Sequence, residues 1–389
     1  MNIMDQSLEL HKKLKGKLSV ELTCELNDKK DLALVYTPGV AGSCLEIHKN
    51  SEASYELTGR ANTVAVISDG TAVLGLGDIG PLAAMPVMEG KCAIFKKFAG
   101  INAIPIVLDT KDVDEIINTV KYLAPSFGGI NLEDISAPRC FEIERRLKEM
   151  LDIPVFHDDQ YGTAIASGAA LINALKVVDK RLEDVKIVIN GAGSAGIAIS
   201  TFLIELGAKH LIICDKQGIL DPNDKTLNDA QFQLSKKTNE NNIKGKLKDA
   251  LKDADVFIGV SKGNLLTTDM IKVMAKDQIV FAMANPTPEI SREDAILAGV
   301  SIYGAGISNI PNQINNALVF PGLFKGALEA RVSLIDMDMM KKACFALASV
   351  VSDKELSKDY IIPDVFNLEV TKVISQAIIS MKYHNDSKK

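Results

Sequence analysis

The sequence predicts an α/β protein in two units, residues 1–159 and 160–389, the second a doubly wound parallel sheet. Three observations predict it. A chain of 389 residues is longer than one typical core needs. Between residues 63 and 159, β-branched apolar runs alternate with helical stretches, the signature of parallel strands buried under helices. The pattern then restarts at "KIVINGAGSAGIAIS", where a strand runs through a glycine turn into a helix.

Residues 1–30 are polar and predict helix, and "YTPGV" (36–40) predicts a type II turn with Pro38 and Gly39 at its centre. "TVAVISDGTAVLGLGDIG" (63–80) predicts strand, turn, strand, and "MPVMEGKCAIFKKFAG" (85–100) predicts a helix ending at Gly100. "NAIPIVLD" (102–109) is a strand, "DVDEIINTVKYLAP" (112–125) an amphipathic helix stopped by Pro125, and "PRCFEIERRLKEML" (138–151) another helix. "GGINLED" (128–134) and "IPVFHDD" (153–159) are the flanking strands, and a small-residue helix spans 163–178. Beyond "KIVIN", an exposed loop covers 216–231, and "DVFIGVS", "QIVFAMANP" and "VSIYGAG" supply three further buried strands. The tail "YHNDSKK" reads as disordered.

The spacing G-x-G-x-x-G occurs twice, and a dinucleotide site also requires a strand before it, a helix opening at it and an acid about 20 residues on. Gly191, Gly193 and Gly196 meet all three conditions: Ser194 and Ala195 open the helix, and Asp215 ends the next strand. Glycines there let the backbone approach a pyrophosphate at the helix N-terminus. A carboxylate at Asp215 favours free ribose hydroxyls and hence NAD, while Lys216 and Lys225 leave NADP open. Gly75, Gly77 and Gly80 fail the test, because Pro81 and Pro86 are expected to interrupt the following helix and no acid follows at the right distance. They predict a structural turn.

Glu133–Asp134 and Asp158–Asp159 end consecutive strands of one βαβ unit, so both pairs are expected at the same carboxyl edge, where ligands bind in open α/β sheets. Four converging carboxylates, with no cysteine and His157 alone nearby, predict a hard oxygen site for Mg²⁺ or Mn²⁺. Lys91 lies between Gly90 and an apolar run; an ammonium in such surroundings is expected to have its pKa lowered, which suits a general base, whereas Lys96 and Lys97 read as solvated. A surface lysine is the alternative.

With 47% hydrophobic and 24% charged residues and a net charge of −6, the chain has no basic footprint for nucleic acid. Six cysteines without close pairing predict reduced, buried thiols. No run of about 18 apolar residues suggests a membrane span, and the start lacks an apolar signal core. The expectation is a soluble, cytoplasmic protein.

Seven stretches, in order, resemble the malic enzyme family in its short bacterial-type form: "YTPGVA" (36–41), "VLGLGDIGPLAAMPVMEGK" (73–91), "NLEDI" (131–135), "FHDDQYGTA" (156–164), "GAGSAG" (191–196), "ANPTPEI" (284–290) and "NQINNALVFPG" (312–322). The resemblance extends from about residue 20 to 375. It implies an N-terminal catalytic domain and a Rossmann-type NAD(P)-binding domain with C-terminal helices, acting on L-malate as a homodimer. The implied reaction is oxidative decarboxylation to pyruvate and CO₂ with a divalent metal. Carried over by motif, Tyr36 is the general acid, Lys91 the general base, and Glu133, Asp134 and Asp159 the metal ligands, with Asp158 paired to Lys91. Asn285, Asn315 and Asn316 match carboxylate-binding asparagines, and Asn285 also falls among the cofactor-binding positions. One departure is implied as well: Thr71 stands where longer members carry a substrate-gripping arginine, a lack that short members share. A malolactic-type reaction, releasing lactate with NAD retained, is the rival the same motifs allow.

Overall fold

A computed structural model describes residues 2–386 other than Leu74 and Asn309. Two sheets organise it. The first contains β1 (Thr63–Ser68), β2 (Asn102–Val107), β3 (Gly129–Leu132) and β4 (Val155–His157), in the order β2-β1-β3-β4 and wholly parallel. Central β1 is a β-branched run buried on both faces, as a parallel strand covered by helices requires. Pro105, which has no N–H to give, sits on edge strand β2.

The second sheet contains β5 (Lys186–Asn190), β6 (His210–Asp215), β7 (Gly218–Ile219), β8 (Val256–Gly259), β9 (Ile279–Ala282) and β10 (Ile302–Ala305). Its order is β10-β9-β8-β5-β6-β7, parallel except for the β6–β7 pair. The strand order reverses beside β5, the switch point at which doubly wound sheets open a crevice.

The sheets share one apolar core in which Val64, Val66 and Phe156 join Ile187, Ile189, Phe320 and Phe324. Phe95 packs on Phe320 at 4.6 Å between ring centroids. The helix Phe320–Ala330 therefore brings the C-terminal part of the chain back onto the first sheet. Gly322 and Gly326 let the last helix, Glu369–Asp386, lie against it: added Cβ atoms would come within 2.9 Å of Ile374 and 2.8 Å of Ile378.

Several expectations need correction. Among the described residues of 71–80 the chain is an irregular loop with a single Val73–Gly77 bridge instead of a second strand. Pro81 and Pro86 do not interrupt the helix after it. Pro81 takes the first helical position of Pro81–Ile94, and Pro86 falls in the second turn, where the partner it would lose belongs to exposed Leu82 and water can replace it. The helix widens into a π turn at Phe95–Ala99 before Gly100 ends it.

Thr37-Pro38-Gly39 is not a type II turn, because Gly39 has φ −59°. Glycine is needed there for space, since a Cβ would meet the Ala33 carbonyl oxygen at 2.5 Å. Asp158 and Asp159 do not extend β4 but start the helix Asp158–Val177. The 216–231 loop contains β7 and the start of a helix at Asp229. The last helix continues through His384 to Asp386, into the segment read as a tail; the remaining residues 387–389 lie outside the described ones. No cysteine is paired among the described residues, but Cys24 and Cys44 are exposed rather than buried.

Candidate active site

Parallel pairing of β3 with β4 brings their carboxyl ends together, and Glu133, Asp134 and Asp159 meet there. One oxygen from each lies within 4.8 Å of the others. Asp134 adopts φ +54°, a left-handed conformation that aspartate tolerates, while its carbonyl accepts from the N–H groups of Thr71 and Ala72 at 3.1 and 3.0 Å. Its own N–H donates to Asp159 Oδ2 at 2.7 Å, tying the two strand ends together. Asn131, two residues before Glu133 and so on the same face, donates to Glu133 Oε2 at 2.9 Å. The sequence reading passed over Asn131, although the period-2 alternation points to it.

Burial pushes all three carboxyl groups above their ordinary range, and neighbouring negative charge adds to it: Asp159 acts on Glu133 and Asp134, and Asp158 on Asp159. Asp134 Oδ2 is buried without a hydrogen-bond partner. Three hard oxygen donors that repel one another, one with an orphaned oxygen, fit a divalent cation such as Mg²⁺ or Mn²⁺.

Lys91, 7% exposed, projects from Pro81–Ile94 into the same cluster. Its Nζ donates to Asp158 Oδ2 at 2.5 Å, lies 2.8 Å from Glu133 Oε1 and caps the Phe320 ring at 4.1 Å. The expected lowering of its pKa is not what this environment produces. Burial alone lowers it, but Asp158, Glu133 and Asp159 outweigh burial and hold the ammonium above its ordinary value. Asp158 itself is fully buried and raised by burial, with Lys91 opposing the rise. Gly162 faces it one turn on, where any Cβ would come within 1.9 Å of Asp158 Oδ1.

Beneath the cluster lies a layer the motifs did not signal. Glu144 accepts from the His157 N–H at 3.1 Å and from Gln160 Nε2 at 3.3 Å, and Lys148 stands 2.8 Å away. This fixes the junction of β4 with the helix that carries both aspartates. The His157 ring is fully buried, 3.8 Å from Asp159, and burial holds its pKa below the ordinary value.

The carboxylates and Lys91 form one wall of a cleft of about 720 Å³, and Ser194, Ala195, Asn285, Asn315 and Asn316 lie on the other. Helix Ser194–Glu205 opens there with no side-chain cap, leaving its N-terminal N–H groups directed at the cleft. A Cβ on Gly196 would sit 1.6 Å from the Gly191 carbonyl oxygen, and one on Gly191 2.8 Å from that of Val260. These glycines are spatial necessities, and the nearby Gly193, at φ −87°, is the N-cap of the helix. Asp215 ends β6 outside the cleft lining, its Oδ1 accepting from the N–H groups of Gln217 and Gly218. Lys216 and Lys225 are exposed.

Asn315 Oδ1 accepts from Ala317 N–H at 2.8 Å, which leaves its Nδ2 hydrogens as donors. The first glycine turn has a positional role here: a Cβ on Gly75 would meet the Asn285 carbonyl oxygen at 2.2 Å, so the loop after β1 closes directly on the asparagine of the opposite wall. Thr71 accepts from Arg139 Nη2 at 2.9 Å, and that guanidinium is paired with Asp69 at 2.7 Å. Neither Thr71 nor Arg139 lines the cleft. Tyr36 does not line it either; it is 67% exposed at the end of helix Lys29–Val35. His11 and Lys17 do line it, and neither was singled out in the sequence.

Comparison with known proteins agrees with this arrangement. The profile "Malic enzyme, N-terminal domain" matches residues 15–148, and "Malic enzyme, NAD binding domain" matches residues 160–383. The bifunctional malic/malolactic enzyme of Bacillus subtilis is 52% identical over 379 residues, covering 97% of this chain and 92% of its own. The NAD-dependent malic enzyme of Geobacillus stearothermophilus is 52% identical over 383 residues, covering 98% and 80%. The NADP-dependent malic enzyme of Halomonas elongata is 44% identical over 396 residues, covering 96% and 92%. The crystal structure of NAD-dependent malic enzyme from Thermotoga maritima superposes with a TM-score of 0.92 at 48% identity, over 96% of this chain and 98% of that one. The chain belongs to the malic enzyme family, and is an NAD(P)-dependent decarboxylating oxidoreductase.

Proposed function

We propose that the chain converts L-malate to pyruvate and CO₂, with NAD⁺ as the preferred hydride acceptor and Mg²⁺ or Mn²⁺ held by Glu133, Asp134 and Asp159. The same reading divides the chain at residues 159 and 160 into a catalytic and a dinucleotide-binding domain. The observation that carries it is the placement of Lys91, buried between Asp158 and Glu133 on the wall that faces the open N-terminus of Ser194–Glu205.

Each residue has a job in this reading. Lys91 would accept the proton of the substrate's C2 hydroxyl in the oxidation step, and Asp158 fixes its position and balances the charge of the ammonium so formed. Amide groups of Asn285, Asn315 and Asn316 donate to the substrate carboxylate, doing part of the work of the arginine that Thr71 replaces. Asn285, on the wall opposite Lys91, would also border a bound nicotinamide. Glu133, Asp134 and Asp159 would hold a divalent cation, which when bound would supply Lewis acidity to the substrate and offset the negative charge that keeps Lys91 protonated. Once CO₂ has left, Tyr36 gives a proton to C3 of the enolate. Gly191, Gly193, Ser194, Ala195 and Gly196 hold the pyrophosphate, and Asp215 engages the ribose hydroxyls and disfavours a 2′-phosphate.

The test is NADH and NADPH absorbance with L-malate and Mn²⁺, run with each nucleotide, followed by assay of pyruvate and lactate. A cation-dependent rise that yields pyruvate is the expected result, faster with NAD⁺. The similarity to a bifunctional malic/malolactic enzyme favours a second reading. In that case lactate accumulates with no net NADH.

A further inference from the structure

We infer that Lys17 supplies the positive charge that holds one of the two substrate carboxylates, and so selects a dicarboxylic 2-hydroxy acid over a monocarboxylic one. This deepens the reading above and rests on the cleft being the L-malate site.

The first observation is the balance of charge in the cleft. Lys91 is matched by Asp158, whose Oδ2 lies 2.5 Å from its Nζ. Glu133, Asp134 and Asp159 carry one negative charge more than a divalent cation offers. A substrate with two carboxylates enters such surroundings only if a further cation meets it. Asn285, Asn315 and Asn316 give hydrogen bonds but no charge. Arg139 is committed to Asp69 and lies off the cleft. Among the described residues that line the cleft, Lys17 is the one lysine or arginine besides Lys91.

The second observation is how firmly the chain places this lysine. The first helix, Ile3–Leu14, ends at Lys15 in the left-handed region, and Gly16 follows at φ +130°, a conformation suited to glycine. The reversal lays Lys17 on the helix Pro81–Ile94, where its N–H donates to Glu89 Oε2 at 3.2 Å and its Nζ to the Pro86 carbonyl at 2.7 Å. No residue from Asn2 to Thr63 is buried, yet Lys17 is tied at both backbone and side chain to a helix far along the sequence. Its Nζ keeps two hydrogens beyond the Pro86 bond and forms no ion pair among the described residues.

The third observation separates substrate from nucleotide. Pro86, Val87, Gly90, Lys91 and Ile94 present one helix face to the cleft, so Lys17, anchored on Pro86, shares the wall of the general base. The open N-terminus of Ser194–Glu205, the place for a pyrophosphate, belongs to the opposite wall. An ammonium on the Lys91 side therefore meets the substrate. It completes with charge what the asparagine amides begin with hydrogen bonds.

The test compares succinate with succinamate, in which an amide of similar shape replaces one carboxylate, as competitive inhibitors of L-malate oxidation with Mn²⁺. The unmodified chain is expected to prefer succinate by about 10–100-fold, as a hydrogen bond between charged groups allows. Lys17→Met should bring the ratio close to one and raise KM for malate by a similar factor, while NADH binding, read by nicotinamide fluorescence, stays unchanged. Lys17→Arg, which keeps the charge, should keep most of the preference. A preference for succinate that survives in Lys17→Met overturns the proposal. Equal weakening of both inhibitors also overturns it, since that is the mark of a merely structural lysine. Weaker NADH binding with an unchanged ratio overturns it too, and gives Lys17 to the nucleotide. If the unmodified chain neither oxidises malate nor binds succinate, the cleft is not a malate site, and the proposal falls with that reading.

Discussion

The residue on which the chemistry turns is Lys91, whose environment departs from the simple expectation for a buried amine. Desolvation by itself would make it neutral, yet three carboxylates keep it charged, and the balance between them is what the catalytic cycle has to shift. Lys91→Ala is expected to abolish hydride transfer from malate, a loss of at least the 10²–10⁴-fold typical of a positioned general base. Tyr36→Phe is expected to spare hydride transfer and to slow release of pyruvate. Rapid-mixing measurement of NADH formed in the first turnover separates the two; a normal first turnover in Lys91→Ala would remove Lys91 from the base role. The melting temperature of the same samples is the control, since removing the ammonium leaves Asp158 and Glu133 buried without their counter-ion.

At the scale of elements, the carboxylates are held by a junction as much as by strands. Parallel pairing was legible in the sequence, because β-branched runs separated by amphipathic helices admit few other arrangements, and it brought Glu133, Asp134, Asp158 and Asp159 to one edge as expected. That the helix starts at Asp158 was less legible. The apolar entry "IPVFH" looks like a strand that could run on, but the first turn of a helix stabilises two adjacent carboxylates through its dipole, and Glu144 secures the turn from below. Glu144 lies far from the motif in sequence, so no local pattern announces it. Glu144→Ala leaves the buried His157 N–H without its acceptor and is expected to cost about 1–3 kcal/mol. Urea unfolding should show a lower midpoint at unchanged slope. Because Asp159 rides on this junction, weaker binding of Mn²⁺ by titration calorimetry should accompany it.

For the whole molecule, what the sequence left out is what needs a third dimension. The glycine spacing at 191–196 identified its site because strand, turn and helix are contiguous. The placing of Gly75 against Asn285, the return of Phe320–Ala330 onto the first sheet and the exposure of Tyr36 depend on packing between distant segments. The buried carboxylates also couple folding to pH and to cation binding. Glu133 and Asp158 titrate near 7 in the folded chain, Asp159 near 6 and Asp134 near 9, whereas unfolded carboxylates titrate near 4. With folded values above unfolded ones, the folded state binds more protons between those limits, so the stability these groups contribute is present below about pH 4 and is lost as pH rises from there through 6, 7 and, for Asp134, 9. In EDTA, the urea midpoint is therefore expected to fall as pH rises from about 4 to about 9, the interval these values define, with most of the fall complete by about pH 7. A divalent cation requires deprotonated ligands and binds better as pH rises, adding about 2.7 kcal/mol at a hundred times its Kd. Saturating Mn²⁺ should flatten or reverse the trend, so the gap between the two curves should widen steadily toward pH 8. Parallel curves would mean that Glu133, Asp134 and Asp159 do not hold the cation.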